Sequence, residues 1–245
     1  MKRILLKISY DGTQYHGWQV QPNAITIQEV LNTSLEKLLG VKTDVVGASR
    51  TDAGVHAKEF CYHLDCDDNI PESAFLRGLN SLLPSDIAVN ECVLVPNDFH
   101  ARYDCKGKTY VYNILNSNKK DPFALRYAWQ IERKHDEKLM NDFCKEIIGT
   151  DDFYAFSSSG RTVDDTVRTV SDCFVERKGD NIIFSITANG FLYNMVRIAV
   201  GTAVDVSLGK IKVEEIKIIL NSKDRSRAGV TAPPQGLFLN KVYYE

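Results

Sequence analysis

Eleven residues, Gly47 to Ala57, combine a carboxylate, a guanidinium, hydroxyls, an imidazole and two glycines between two apolar runs. Asp52 lies two residues after Arg50 and four before His56. Dense polar chemistry between apolar runs is typical of a loop on a rigid scaffold, where functional sites tend to lie. Asp52 is therefore either a turn residue that caps neighbouring amides or a nucleophile held by Arg50 or another cation.

A second stretch, Tyr10 to Gln21, alternates aromatic residues with glycines and amides such as Gln19. Aromatic faces can stack on nucleic-acid bases, and amides can meet base edges or phosphates. The same pattern also suits a turn whose aromatic side chains fold back on the core. The residues alone leave both interpretations open.

Two regular elements carry further polar groups. In the β-prone stretch 106–112, Tyr110 and Tyr112 share one face of a strand, so they cover a sheet or one of them faces a base. Arg197 lies in an otherwise apolar helical run and needs a partner there. Asp52 is the candidate partner, and an arginine that extends to the surface is the alternative.

The remaining side chains with chemical potential are further cations, histidines and cysteines. The segment Phe99–Tyr103 adds His100 and Arg102, which could contact a substrate or be solvated charge. Six cysteines occur without a Cys-x-x-Cys pair, and the five histidines show no metal-ligand spacing. We therefore expect reduced thiols in a cytoplasmic protein and no metal site.

Length, charge and hydropathy limit the classes of protein to which the chain can belong. The 245 residues suffice for one large domain or two packed lobes. The net charge of −2 argues against a strongly basic arm, but it divides into −5 for residues 1–105 and +3 for 106–245. No apolar run approaches a membrane-spanning length, and the first residues predict a strand rather than a signal peptide.

Hydrophobic periodicity predicts alternating strands and helices. Thr26 followed by Glu29 predicts the start of the first helix, and Gly40 its end. Strands are expected at about 3–10, 42–47, 58–64, 86–95, 106–116, 166–176, 181–188 and 237–244. Helices are expected at about 27–39, between Pro71 and Pro84, at 136–148, around Arg197 and at 213–220.

The two halves mix strands and helices in a similar order. We therefore predict an α+β fold with two lobes around a cleft, because each mixed sheet needs a helical layer on one face. The N-terminal lobe is expected at 1–105 with the Asp52 loop, and the C-terminal lobe at 106–245 with Tyr110 and Arg197. No linker-like segment separates them.

Six motifs occur in order along the chain, and they are Tyr-Asp-Gly-Thr-x-Tyr-x-Gly-Trp-Gln-x-Gln at 10–21, Arg-Thr-Asp-Ala-Gly-Val-His-Ala at 50–57, Phe-His-Ala-Arg at 99–102, Lys-Thr-Tyr at 108–110, Asn-Gly-Phe-Leu-Tyr-Asn-Met-Val-Arg at 189–197 and Thr-Ala-Pro-Pro-Gln-Gly-Leu at 231–237. With these motifs the chain resembles the tRNA pseudouridine synthase A family. One departure is Ser49, where many members are expected to have glycine, and serine is small enough for the loop.

The resemblance implies an enzyme that converts uridine to pseudouridine in the anticodon arm of tRNA, around positions 38 to 40. It further implies a homodimer that uses no cofactor, with tRNA as its partner and neither a membrane nor another protein. Its lobes would be mixed α/β sandwiches of the ferredoxin or RRM type, whose sheets flank a central RNA-binding cleft.

The resemblance also implies roles for individual residues. Asp52 matches the essential aspartate, Tyr110 the active-site tyrosine and Arg197 the arginine that pairs with the aspartate. Arg50 matches an arginine that helps displace the target base. Substrate contacts are expected from Arg50, Tyr110, Arg102, His100 and Gln19.

Two other function classes remain as alternatives. A non-catalytic RNA-binding protein would keep the aromatic and basic features but could dispense with Asp52. A hydrolase with an aspartate nucleophile would release free uracil or phosphate. The presence of Asp52, Tyr110 and Arg197 together favours the isomerase.

Overall fold

The computed structural model describes residues 1–160 and 163–245. They form two compact units, one of Met1–Lys106 with Phe238–Glu245, the other of Gly107–Leu237. Each unit contains a mixed sheet together with helices, so the protein has a mixed α/β fold. Lys106 and residues 238–245 belong to the first unit, whereas the lobes predicted at 1–105 and 106–245 place them in the second. Phe238 and Leu239 pair with a strand of the first unit.

The strands are β1 (Lys2–Tyr10), β2 (Val46–Gly47), β3 (His56–Cys66), β4 (Ile87–Val95), β5 (Gly107–Asn116), β6 (Trp129–Ile131), β7 (Gly149–Asp152), β8 (Val167–Lys178), β9 (Asn181–Ala188) and β10 (Leu237–Tyr243). The α-helices are α1 (Ile27–Leu39), α2 (Asn80–Leu82), α3 (Glu137–Ile147), α4 (Met195–Ser207) and α5 (Ile216–Ser222). A π-helical stretch, Ala74–Leu79, leads directly into α2.

The sheet of the first unit is ordered β4-β1-β3-β10, and β2 pairs with β3. β1 is antiparallel to both β3 and β4, whereas β10 is parallel to β3. The residues that alternate along β1 are buried, as their pattern predicted, and they are Ile4, Leu6, Ile8 and Tyr10.

Helix α1 begins and ends where the sequence predicted. The Thr26 hydroxyl accepts a hydrogen bond from the Glu29 amide, and a cap of this kind stabilises a helix by about 1 kcal/mol. Gly40 closes the helix in the left-handed conformation, with φ of 72°. Ile27, Leu31 and Leu35 place the apolar face of the helix in the core.

The strand predicted at 42–47 is shorter than expected, since only Val46–Gly47 pair with β3. At Val45, the residue before β2, side chains of α1 make the hydrogen bonds that a neighbouring strand would otherwise make. The Val45 amide donates to Asn32 Oδ1 at 3.2 Å, and its carbonyl accepts from Gln28 Nε2 at 3.0 Å. The segment before β2 is therefore held by a helix instead of a second ladder.

In the second unit, β5, β9, β8 and β7 are successive antiparallel neighbours, and β6 is parallel to β5. The hairpin of β8 and β9 is confirmed, as are helices around the predicted positions of α3 and α4. The helix predicted at 213–220 is a 3₁₀ turn, Val213–Glu215, followed by α5. β6 and β7 were not predicted.

Candidate active site

Asp52 lies in the loop between β2 and β3, and main-chain hydrogen bonds hold this loop on both sides of it. The Trp18 amide donates to the Thr51 carbonyl at 3.0 Å, and the Gly54 amide donates to the Tyr15 carbonyl at 3.2 Å. The Asp52 carbonyl accepts from the Val55 amide at 3.2 Å, which closes a turn. The backbone that presents the carboxylate is thus fixed to the segment that follows β1.

Two glycines permit this close approach of main chain to main chain. Gly17 has φ of 83°, and a Cβ there would lie 2.4 Å from the Thr51 carbonyl oxygen. A Cβ on Gly12 would lie 2.0 Å from the Val55 carbonyl oxygen. No side chain fits at such distances, so the glycines of the 10–21 motif shape the loop of Asp52.

The aromatic residues of the same motif support the loop from inside. Tyr10, Tyr15 and Trp18 are all buried. The Tyr10 hydroxyl lies 2.8 Å from Thr51 Oγ1, and the Trp18 ring stacks on Phe60 with centroids 4.0 Å apart. The rings therefore fold back on the core, and the interpretation of this motif as a set of base-stacking aromatics is not favoured.

Four of the five predicted substrate-binding residues lie together in the first unit. A cleft of about 260 Å³ is lined by Trp18, Gln19, Gln28, Val45, Val46, Gly47, Ser49, Arg50, His100, Arg102 and Tyr103. Gln19, Arg50 and Arg102 are exposed, and no hydrogen-bond or ion-pair partner of their side chains occurs among residues 1–160 and 163–245. The cleft thus presents two available guanidinium groups and an amide.

His100 occupies a tight turn at the rim of this cleft. Its Nδ1 accepts hydrogen bonds from the amides of Arg102 and Tyr103, each at 3.2 Å. Its ring also meets His63 of β3 at 5.0 Å between centroids. Burial lowers the pKa of His63 to about 4, and its Nδ1 accepts from the Ala101 amide at 3.1 Å.

His56, the imidazole of the opening stretch, has structural contacts. It is buried, its Nδ1 accepts from the Gly12 amide at 3.0 Å, and Asp11 Oδ1 lies 3.1 Å from the same nitrogen. Its ring stacks on Phe238 with centroids 4.6 Å apart. These contacts join the end of the Asp52 loop to the segment after β1 and to β10.

In the second unit, the two tyrosines of β5 differ in their contacts. Tyr112 is fully buried, and its hydroxyl donates to the Pro233 carbonyl at 2.7 Å. Burial raises the pKa of Tyr112. Tyr110 retains slight exposure and meets the ring of Phe191 edge-on at 5.0 Å. Tyr112 is therefore a core residue, which leaves Tyr110 as the functional candidate of the pair.

Arg197 lies in the first turn of α4, and two acceptors in the second unit orient its guanidinium. Nε donates to the Ala232 carbonyl at 2.7 Å, and Nη1 donates to Asn194 Oδ1 at 2.8 Å. The Arg197 carbonyl in turn accepts from the Ala232 amide at 3.1 Å. The guanidinium plane is therefore oriented by hydrogen bonds, unlike that of a freely solvated arginine.

Two residues with a place in these arrangements were not singled out from the sequence. Asn194, which orients Arg197, could have been found from its position at the start of the helix, three residues before the arginine. Tyr103, at the rim of the cleft, directly follows Arg102 in a segment that was interpreted only for its cations.

Within residues 1–160 and 163–245, no three His, Cys, Asp or Glu side chains are grouped so that they could hold a metal ion. The six cysteines are free thiols, and burial raises the pKa of Cys61 and Cys92 to about 12. No helix in this part of the chain is both long and apolar enough to span a membrane.

A family model described as tRNA pseudouridine synthase matches residues 7–104 and 143–245. These ranges contain Asp52 and Arg197, whereas Tyr110 lies between them. Among solved structures, a Cbf5–Nop10–Gar1 complex aligns with 97% of this chain and 58% of that chain, at 12% identity and a TM-score of 0.36. That likeness is too weak to carry a conclusion.

Curated relatives match the chain from end to end. The tRNA pseudouridine synthase A of Thermoanaerobacter sp. strain X514 is 47% identical over 244 residues, and that of Acetivibrio thermocellus is 45% identical. The tRNA pseudouridine synthase A 2 of Clostridium perfringens is 43% identical. Each match covers 100% of both chains. The chain therefore belongs to the tRNA pseudouridine synthase family.

Proposed function

We propose that this chain isomerises uridine in the anticodon arm of tRNA, around positions 38 to 40, with Asp52 as the essential nucleophile or base. As a member of its family, the chain is an isomerase that converts uridine in tRNA to pseudouridine. The observation that carries the proposal for Asp52 is its position in a loop held by main-chain bonds, two residues from the exposed Arg50.

The chemistry of the reaction explains the need for a carboxylate. The bond between N1 of uracil and C1′ of ribose breaks, the base turns, and C5 bonds to C1′. A proton leaves C5, and N1 gains one, so the substrate and the product are isomers. A carboxylate can add to the uracil ring, trap the electron-deficient C1′ or remove a ribose proton to give a glycal. All three routes need Asp52 ionised.

Arg197 and Tyr110 have complementary roles in this proposal. A guanidinium keeps a neighbouring carboxylate ionised and oriented by charge and hydrogen bonding. The two acceptors that fix the Arg197 plane support such an orienting role. Tyr110 would stack on the uracil and take the C5 proton. Tyr112, on the same strand, already donates its hydroxyl to the Pro233 carbonyl.

The target base must leave its stack before it can react, which costs on the order of a few kcal/mol. Contacts to RNA have to offset this cost. Arg50 would help displace the base, while Gln19, His100 and Arg102 would contact the surrounding RNA. Their common location in one cleft supports this assignment.

The proposal also includes the lobe architecture, the location in the cell and the oligomeric state. The two units would be ferredoxin-like or RRM-like lobes whose sheets flank an RNA-binding cleft, and the enzyme would act as a cytoplasmic homodimer. A crystal structure with an anticodon arm tests the cleft. Sedimentation equilibrium tests the dimer, and a molecular mass of one chain would contradict it.

The decisive experiment uses Asp52→Asn with tRNA labelled with tritium at C5 of uridine. We expect tritium release to fall at least about 1,000-fold, as is usual for loss of an essential nucleophile or base. Affinity for tRNA should stay within about threefold, because the amide keeps the size of the carboxylate. Substantial residual release would contradict the role of Asp52.

Asp67→Asn is the matched control, because Asp67 is an exposed aspartate just after the other end of β3. It should leave tritium release unchanged. Product analysis with the wild-type chain separates the alternatives. An isomerase gives a product of unchanged mass that becomes cyanoethylated. A hydrolase would release uracil, and a pure binding protein would bind tRNA without releasing tritium.

A further inference from the structure

Tyr103 is an aromatic side chain placed where it contributes little to the fold. It is 77% exposed, although most large aromatic residues of its unit are buried. One face of its ring is covered by His100, with centroids 4.2 Å apart and planes 29° from parallel. The opposite face is open to solvent beside the cleft that Tyr103 helps to line.

The turn beneath this ring is held by hydrogen bonds among its own residues. Besides the two bonds to its Nδ1, His100 donates its amide to Asp104 Oδ2 at 2.7 Å, and its carbonyl accepts from the Asp104 amide at 3.0 Å. Binding to such a turn loses little conformational entropy, which favours affinity.

The same turn is joined to the core of the first unit. Ala101 is fully buried, its amide donates to His63 of β3, and its carbonyl accepts from the Tyr244 hydroxyl at 2.9 Å. The turn that carries the exposed ring is therefore hydrogen-bonded to β3 and to Tyr244 and is not a loose loop. We call Tyr103 and His100 together the stacking platform.

Charge at the cleft indicates what the platform would bind. Arg50 and Arg102 line the same cleft with guanidinium groups that have no partner among the described residues. An open aromatic face beside available cations is the arrangement that binds single-stranded nucleic acid through stacking and phosphate contacts. The cleft, of about 260 Å³, is close to the lower end of the range of roughly 300–1,000 Å³ for small-ligand pockets. A cleft of this volume therefore favours an occupant about the size of one nucleotide.

We propose that the stacking platform binds one unpaired nucleotide of the tRNA other than the target uridine, with its phosphate held by Arg102. This inference rests on the proposed function, since it takes tRNA as the ligand. It assigns the stacking platform a task separate from the chemistry. The platform holds the RNA at a second point, while Asp52 acts on the flipped base.

The first test measures tRNA affinity of Tyr103→Leu and Tyr103→Phe. Stacking on an aromatic side chain contributes enough that its loss should weaken binding about 5- to 100-fold. The leucine variant should show this loss in Kd and KM, with kcat at saturating tRNA within about twofold of wild type. The phenylalanine variant should bind like wild type, because it keeps the ring.

The control is Phe174→Leu, which removes a half-exposed ring from β8 of the other unit and should leave affinity unchanged. Unchanged affinity of Tyr103→Leu, or an equal loss in Tyr103→Phe, would overturn the proposal. Equal melting temperatures of the variants and wild type show that the comparison concerns binding and not folding.

The second test identifies the occupant. A series of anticodon arms lacks the base of one nucleotide at a time, and Kd is measured for each with the wild-type chain and with Tyr103→Leu. One non-target position should weaken wild-type binding about 5- to 100-fold, yet weaken the leucine variant by less than about twofold. If no position couples to Tyr103 in this way, the proposal is wrong.

Pseudouridine formation by the wild-type chain keeps the two proposals distinguishable. If turnover is normal but no nucleotide couples to Tyr103, only the platform fails. If a nucleotide couples to Tyr103 but no pseudouridine forms, the proposed function fails and the platform remains as an RNA-binding site.

Discussion

Around Asp52, the hydrogen bonds described above fix the main chain, whereas around Arg197 they fix the end of the side chain. The carbonyls of Thr51 and Asp52 accept bonds that shape the loop in the first unit. In the second unit, the guanidinium of Arg197 itself donates to Ala232 and Asn194. A loop without regular structure needs hydrogen bonds from neighbouring segments to order its backbone. The backbone of a helix is already ordered by the hydrogen bonds within the helix.

This difference teaches where each region is vulnerable. The Asp52 loop depends on a few close contacts between main-chain segments, so one added methyl group can displace it. The Arg197 site depends on the shape of one side chain, so a substitution that keeps the charge but not the planar fork should damage it. Three substitutions, each with a matched comparison variant, test this contrast.

Gly17→Ala should disrupt the Asp52 loop. The substitution strains a backbone with φ of 83° and adds a Cβ at 2.4 Å from the Thr51 carbonyl oxygen. We expect a loss of more than about 3 kcal/mol in the free energy of unfolding, from left-handed strain and overpacking together. We also expect turnover about 100-fold lower where the variant is folded, because small misplacements of reacting groups are costly.

Gly40→Ala is the matched control for that substitution. Gly40 also has positive φ, of 72°, but a Cβ there would meet nothing within 4 Å. It should lose only about 1–2 kcal/mol of stability, from conformation alone, and keep full activity. Urea denaturation and tritium release measure both quantities. Equal losses in the two variants would show that the contact with Thr51 does not hold the loop.

Arg197→Lys should reduce turnover more than stability. An ammonium cannot reproduce the planar fork that bonds to Ala232 and Asn194. We expect kcat to fall about 10- to 100-fold through loss of orientation, with a melting temperature lowered by less than about 4 °C. Steady-state kinetics and calorimetry on the same preparation provide the two numbers.

Arg177 offers the contrasting case. It donates to the His135 carbonyl at 2.8 Å and to Asn116 Oδ1 at 3.1 Å, the same two kinds of acceptor that Arg197 uses. Arg177→Lys should therefore lower the melting temperature without a change in kcat. If both arginine variants lost stability and activity in equal proportion, Arg197 would be a structural residue as well.

Tyr62→Phe should have the smallest effect. Tyr62 lies on β3 opposite Gly47 of β2, it is fully buried, and its hydroxyl has no hydrogen-bond partner among the described residues. Removing an unsatisfied buried hydroxyl should leave stability unchanged or raise it by up to about 1 kcal/mol. Turnover should not change, since the Asp52 loop is held by main-chain contacts and does not depend on this group.

Tyr15→Phe provides the comparison in the same unit. The Tyr15 hydroxyl donates to Asp86 Oδ1 at 2.7 Å, so its removal should lower stability by about 1–2 kcal/mol. Thermal denaturation of both variants decides the matter. A Tyr62→Phe variant as unstable as Tyr15→Phe would show that the Tyr62 hydroxyl has a partner in solution.

The sequence predicted best those elements whose signals are local. Thr26 and Gly40 mark the two ends of α1. The apolar alternation of β1 indicates that this segment is a strand and shows which of its faces is buried. β7, in contrast, is a strand of Gly-Thr-Asp-Asp, and it exists through its pairing with β8. No local pattern reveals a strand whose stability comes from a partner about twenty residues away.

In the candidate site, too, local features were predictable and long-range contacts were not. Residue types and spacing were enough to select Asp52, Arg50 and Arg197, and their chemical roles stay predictions. The orientation of the aromatic rings in the 10–21 motif could not be predicted, because alternation with glycine is the same for buried and exposed rings. Trp18 is buried because Phe60 of β3 offers its ring a surface, and that contact spans more than forty residues.

The pairing of β10 with the first residues of β3 has a consequence for synthesis of the chain. Phe238 and Leu239 lie opposite His56 and Ala57, directly after the loop of Asp52. Translation reaches β10 only after all of Gly107–Leu237 has been made, so the unit encoded later in the chain can complete its fold earlier. During that interval this part of β3 keeps an unpaired edge, the kind of surface at which nascent chains associate with wrong partners.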